Sequence, residues 1–238
     1  MQRGIKPFII GPLKKVWQRF TVSEAQIADH LEAIRTQLPT TEVILIGKPQ
    51  AGKSSIVRGM TGQPADMIGQ GFKPHTRSTQ QYPYPAADLP LLIFTDTVGL
   101  GDVERQSQEI VADLTQMLKA DGTRSRLFVL TVKITDFAND SLRQVISALR
   151  QGFPQIPCIL ALTCLHELYG APTDGHPDYP PHLEAITRAA ETTDANFGAV
   201  CDRTLLLDFT LEEDGYNPTF YGLAALRGAL DALLPRAQ

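Results

Sequence analysis

Val43-Ile44-Leu45-Ile46 is an unbroken apolar run that ends on Gly47 and a polar turn, and comparable short runs recur along the chain. Runs of this length between turn-forming residues suit strands covered on both faces, so strands are expected at 42–47, near 78–84, and at 90–96, 127–133, 158–163 and 204–209. Amphipathic spacing predicts helices at 53–60, about 104–120, about 138–151, about 181–195 and near 220–234. Strand and helix alternate, which implies an α/β domain: a mostly parallel six-stranded sheet with helices on both faces and ligand sites at the carboxyl ends of the strands. Ahead of it, Ala25, Ile27, Leu31 and Ile34 fall near helical spacing after a Ser23 cap. The expected division is therefore a basic, helical extension over 1–38 and a main domain over 39–238. Gly170 to Pro181, rich in Pro, Gly and Asp, reads as a surface excursion.

The bulk composition, 238 residues with 43% hydrophobic and a formal charge of −4, fits a globular protein and carries no specific nucleic-acid signal. The net charge hides an asymmetry: residues 1–20 contain Arg3, Lys6, Lys14, Lys15 and Arg19 and no acid. These cations interleave with Ile5, Phe8, Ile9, Leu13, Val16, Trp17 and Phe20, and a short helix over 13–20 would put Lys14 and Lys15 opposite the apolar side. Two readings stay open, a peripheral contact of residues 1–20 with an anionic membrane or a partner, and a fold-back of the apolar side onto the core. Cys158, Cys164 and Cys201 lack metal-type spacing and suit buried, reduced thiols. The histidines offer no i, i+4 metal pairing. No apolar run approaches the roughly 20 residues of a membrane span, so the expected setting is cytoplasmic, with a membrane-peripheral variant.

Chemistry enters at Gly47-Lys48-Pro49-Gln50-Ala51-Gly52-Lys53-Ser54, a complete G-x-x-x-x-G-K-S directly behind an apolar strand and ahead of a helix. Glycines let the backbone curl so that N–H groups and a helix N-terminus surround an anion. The candidates for holding a nucleotide are Gly47, Lys48, Gln50, Ala51, Gly52, Lys53, Ser54 and Ser55. Lys53 is expected to reach the β- and γ-phosphates and the Ser54 hydroxyl to ligate Mg²⁺. After a second strand come Asp96-Thr97-Val98-Gly99, an acid suited to holding magnesium through water and a glycine amide suited to a γ-phosphate. Between the two motifs, residues 69–79 form a polar loop with hydroxyls at Thr76, Ser78 and Thr79.

With these motifs the chain resembles the Era-like (TrmE-Era-EngA-YihA-Septin-like) branch of the P-loop GTPases over about residues 40–235. The resemblance implies that Thr76, just ahead of Arg77, ligates magnesium and senses the γ-phosphate, with Thr79 as the alternative. It also matches Asp96 to Gly99 to the D-x-P-G motif, with Val98 in place of proline. The family's base-reading motif, Asn or Thr, Lys, any residue, Asp, falls on Thr163-Cys164-Leu165-His166, where position agrees and residues do not. A carboxylate accepts both the guanine N1–H and its amine, which a neutral His166 imidazole cannot reproduce in bidentate form. Glu167 would serve if the loop shifts by one residue; alternatively His166 and Glu167 cap the next turn. Thr163, His166 and Glu167 are thus the base-side candidates, and guanine over adenine is what the resemblance implies. The last family motif falls near Asp208-Phe209-Thr210, where only Thr210 is similar.

Many GTPases orient the attacking water with a Gln after the D-x-x-G glycine, and here that residue is Leu100. Relatives with such a substitution use a potassium ion held by a P-loop Asn, which is Gln50 here, or residues supplied across a homodimer. Arg77, Arg105 and Gln106 are candidates to assist. The expected protein is a GTP-binding conformational switch with slow, Mg²⁺-dependent hydrolysis to GDP, stimulated by dimerisation or a partner. Lys53, Thr76 and Gly99 would act on the phosphates, and Ser54, Thr76 and Asp96 on the metal. The rivals are an ATPase or relaxed-specificity NTPase, and a nucleotide-binding scaffold that does not turn over.

Overall fold

The computed structural model describes Ala33 and residues 39–64, 79–88, 90–97, 107–120, 124–169 and 175–234. The chain divides into two units, Met1–Leu38 and Pro39–Gln238. In the second, the apolar run at 43–46 becomes β1 (Thr41–Gly47), buried along its whole length. Parallel β3 (Leu92–Asp96) and β4 (Ser125–Lys133) flank it, with Leu45 opposite both Asp96 and Val129. The six-stranded sheet runs β2-β3-β1-β4-β5-β6, with β2 (Gln80–Tyr84), β5 (Cys158–Thr163) and β6 (Arg203–Leu206) completing it. Within this sheet only β2 is antiparallel to its neighbour. Its Pro83 lacks a ladder donor and suits an edge strand.

Alternation of side chains builds a core on each face. Ile44 and Ile46 of β1, Phe128 and Leu130 of β4, and Leu160 and Leu162 of β5 point one way, into α2 (Ser107–Ala120), α3 (Asp140–Gly152) and α4 (Glu184–Phe197). Val43, Leu45, Leu127, Val129 and Ile159 point the other way, against α1 (Lys53–Thr61) and α5 (Leu223–Leu233). The predicted α/β architecture is the one observed. No helix among the described residues is long and apolar enough to cross a membrane.

Three expectations need revision. The single strand at 204–209 is two: β6 ends at Leu206, and β7 (Asp208–Phe209) leaves the sheet to pair antiparallel with β8 (Phe220–Tyr221). The last helix accordingly starts at Leu223, not near 220, after Gly222 at φ 87°. Thirdly, part of the 170–181 excursion points inward, because the His176 side chain is enclosed, its ring stacked on Tyr221 at 4.5 Å. The β7–β8 ribbon packs on α1, where a Cβ added to Gly59 would stand 2.6 Å from the Phe209 ring. The Arg58 guanidinium lies 4.9 Å from the Phe220 ring centre and donates to Thr210 O at 3.1 Å.

Candidate nucleotide-binding site

The loop between β1 and α1 is shaped by its glycines. A Cβ at Gly47 would stand 2.1 Å from Thr131 Oγ1, so only glycine lets β1 leave the sheet against β4. Gly52 sits at φ 81° and is the N-cap of α1, and Gln50 takes a positive φ of 61°. α1 has no side-chain cap and no acid in its first turn, so its leading N–H groups face the loop with the positive end of the helix behind them. Ser55 follows in the same turn, half-buried.

Lys53 is only 5% exposed, and its ammonium folds back onto the carbonyls of Gly47 (3.2 Å) and Lys48 (3.1 Å). Burial lowers its pKa, and the Asp96 charge partly offsets this. Two carbonyl dipoles compensate a buried cation incompletely, so the arrangement favours an anion in the curl of the loop. Ser54 Oγ donates to Asp96 Oδ2 at 2.6 Å, which joins the start of α1 to the end of β3. Thr97 Oγ1 in turn donates to Leu45 O at 2.6 Å. A hydroxyl and a carboxylate at this separation are the hard oxygen donors magnesium takes, so Ser54 and Asp96 fit that ion.

Lys48 is drawn outward, to Asp136 at 2.8 Å and Ala138 O at 2.5 Å on the β4–α3 connection. Thr163, at the end of β5, donates to Ala51 O at 2.9 Å and thereby braces the loop from behind. Gly47, Lys48, Gln50, Ala51, Gly52, Lys53, Ser54, Asp96 and Thr163 are thus gathered at the carboxyl ends of β1, β3 and β5. Thr76 and Gly99 lie outside the described residues, as do Arg77, Val98, Leu100, Arg105, Gln106 and residues 1–20.

Beyond Thr163 the chain turns at Cys164, which takes φ 58° and whose thiol burial pushes up to about 12. His166 and Glu167 then diverge. Glu167 accepts from Lys133 Nζ (2.6 Å) and Thr135 Oγ1 (2.6 Å) at the end of β4. Partial burial pulls its carboxyl upward, but these bonds outweigh burial and leave it below the usual carboxylate range. His166 turns toward β7: its main-chain N donates to Asp208 Oδ2 at 2.6 Å, and its Nδ1 lies 2.7 Å from Asp208 Oδ1. Hydrogen bonding to Asp208 raises the His166 pKa above the ordinary imidazole value. Tyr169 adds a third donor, 2.9 Å from Asp208 Oδ2, and its oxygen also meets His176 Nδ1. With the tyrosine proton directed at Asp208, the network assigns the Nδ1–H tautomer to His176, and burial lowers its pKa against the opposing pull of Asp208.

In the sequence Asp208 figures only as part of the last family motif, with no role given to it; the structure brings it against His166. Its signal is the same as that of Asp96: an acid directly after an apolar strand, here Leu205-Leu206-Leu207.

Residues 42–164, more than half of the chain, match the model of a family described as 50S ribosome-binding GTPase. The chain belongs to that family. The chain is 27% identical over 111 residues to the tRNA modification GTPase MnmE of Bartonella bacilliformis, a match covering 45% of this chain and 25% of that protein. The chain therefore spans about a quarter of that relative's length. Among solved structures, Toc33 from Arabidopsis thaliana is similar at TM-score 0.55 and 16% identity, over 92% of this chain and 94% of that one. A probable GTP-binding protein engB gives 0.52 and 14%, over 82% and 98%. The GDP complex of SsGBP gives 0.53 and 13%, over 94% of this chain and 56% of that one. At such identities the likeness is one of fold.

Proposed function

We propose that this protein is a guanine-nucleotide switch of the Era-like branch that hydrolyses GTP slowly with Mg²⁺. The observation that carries the reading is the pairing of the buried Lys53 ammonium with the 2.6 Å Ser54–Asp96 contact at adjoining strand ends. In this reading Gly52 and Lys53 bind the phosphates, Gly47, Lys48, Gln50, Ala51 and Ser55 shape or flank the loop, and Thr163 braces it. Ser54 and Asp96 would hold Mg²⁺ together with Thr76; the ion would supply charge stabilisation to the phosphates. Thr76 and Gly99 would order their loops when a γ-phosphate is bound and release them after its loss. Leu100, being apolar, cannot orient water, which makes intrinsic turnover slow. For atToc33 and psToc159, chloroplast translocon components, dimerization is important for the GTPase activity. We extend that idea here: stimulation comes from a second copy of the chain or from a partner. The proposed setting is cytoplasmic, with a peripheral membrane contact through residues 1–20 as its variant.

Calorimetry with Mg²⁺ tests the core of this reading. Wild type is expected to bind GTP and GDP, and Lys53→Ala to lose roughly a hundredfold in GTP affinity, the scale of a charge-assisted contact in a buried site. Unchanged affinity would mean the nucleotide binds elsewhere. Relaxed base specificity is the second reading, favoured by His166 at the position where relatives carry the base-reading acid. GDP and ADP affinities compared side by side separate the two, with equal values favouring the second.

A further inference from the structure

We propose that the purine edge is read by a relay of two residues: Asp208 holds the His166 imidazole, and His166 Nε2 meets the base. This rests on the nucleotide-binding reading above and specifies its base-recognition end. β5 and β6 are parallel neighbours, with Leu162 opposite Leu206, so their carboxyl ends deliver Thr163–Glu167 and Leu207–Phe209 side by side. The acid that the family motif would place at 166 stands one strand over, at 208, 2.7 Å from the imidazole that replaces it. Asp208 is 1% exposed and already accepts from the His166 main chain and Tyr169, so it is closed to a ligand. His166, with its side chain 32% exposed, is the member of the pair open to one. Glu167 is held by Lys133 and Thr135 on the β4 side.

A carboxylate only accepts, so the ring proton of neutral His166 lies on Nδ1 and the Nε2 lone pair points away from Asp208. Asp208 is then a positioning residue, in the manner of a carboxylate that fixes the tautomer of a metal-binding imidazole. A single lone pair accepts guanine N1–H, or an adenine 6-amino hydrogen, and therefore discriminates less than a carboxylate that accepts two hydrogen bonds at once. Protonation turns Nε2 into a donor, which opposes guanine N1–H and suits adenine N1. Guanine preference should accordingly fall as pH falls through the His166 titration, which Asp208 moves above the ordinary histidine value. The groups facing His166 are Asp208, Tyr169, Tyr216, His176 and Asp214, together with Glu167 and its partner Lys133. Asp208, Glu167 and Asp214 reinforce the raised value.

The test is calorimetric titration of the full chain with GDP and with ADP, in Mg²⁺, at about pH 6 and about pH 8.5, either side of the ordinary histidine value. Wild type should prefer GDP by about tenfold at the higher pH, the worth of one good hydrogen bond, and by less at the lower. His166→Ala should bind both nucleotides with similar affinity at both pH values. Asp208→Asn should move the pH midpoint of the preference downward. The double variant His166→Asp with Asp208→Asn returns the acid to 166 and should show a guanine preference that does not change between these pH values. A His166→Ala ratio equal to wild type, or a wild-type ratio flat in pH, overturns the relay while leaving the nucleotide site standing. Wild type that binds neither nucleotide overturns both. Should Asp208→Asn fail to fold, His166→Ala still decides, since that side chain is partly exposed and its loss opens no core cavity.

Discussion

Cys164 occupies the place where relatives of the resembled branch lay a lysine stem over the base, and its own chemistry is the reverse of a reactive thiol. Burial, with Asp208 and Glu167 nearby, raises it to about 12. Since the thiolate is the nucleophile, the raised value leaves little of the reactive form at pH 8. Iodoacetamide at pH 8 should leave Cys164 unlabelled in the native protein and label it after unfolding, as peptide mass spectrometry would read. Fast native labelling would place the sulfur in solvent. His166 and His176 titrate in opposite senses. The His166 value is raised, so its contribution to stability is complete below about 6.5 and is lost as pH rises through the raised value. The His176 value is lowered, so stability falls as pH drops from about 6.5 through that lower value. His166→Ala should therefore depress the melting temperature more at pH 6 than at pH 9; an equal loss at both would mean that the Asp208 contact does not stabilise the charged ring. Residues 47–54 were legible because glycine, lysine and hydroxyl spacing is local. Asp208 was not, because its partner His166 is distant in the chain and meets it only through strand pairing.

Among the elements, the central strands carry a buried polar chain that hydrophobic patterning does not reveal. Glu42 of β1, 3% exposed, accepts from Thr95 Oγ1 (2.6 Å), Gln81 Nε2 (3.1 Å) and Arg126 Nε (3.2 Å), so one carboxylate ties β2, β3 and β4 to β1. Arg126 also donates to Leu118 O of α2 at 2.7 Å. Removing the acid alone takes an ion-pair partner from a buried guanidinium and an acceptor from Thr95 and Gln81, and Glu42→Ala should cost about 3–5 kcal/mol in urea denaturation. A loss near zero would indicate that water or backbone replaces the carboxylate. Among the described residues of 39–234, the six sheet strands, most of them apolar runs, and the five α-helices were legible from the pattern along the chain. The β6 break was not, since Leu205-Leu206-Leu207 runs straight into β7 and periodicity cannot tell a strand that changes partner from one that continues. For the same reason Phe220-Tyr221 reads as the start of the last helix: its ribbon partner is known only from tertiary pairing.

At the scale of the whole molecule, the proposed switch reading makes turnover the step that a single copy is least equipped to supply. Lys53 is folded onto the Gly47 carbonyl and Ser54 is bonded to Asp96, whereas the residue after the D-x-x-G glycine is Leu100. One exposed apolar group stands on the rim beside this loop: Phe137 is 65% exposed, next to the Ala138 carbonyl that receives Lys48. A second chain covering that rim would exclude water there and bring its own polar groups toward the phosphates, where electrostatic assistance is worth most. Single-turnover GTP hydrolysis should then accelerate with protein concentration, and Phe137→Ser should weaken the acceleration while leaving GDP affinity within about twofold, since an exposed rim residue contributes little to ligand binding. A rate constant that stays flat from micromolar to high concentration, in wild type and variant alike, would remove self-association as the stimulus. Flat and slow turnover would then leave a separate activating partner as the source of the group that Leu100 does not provide.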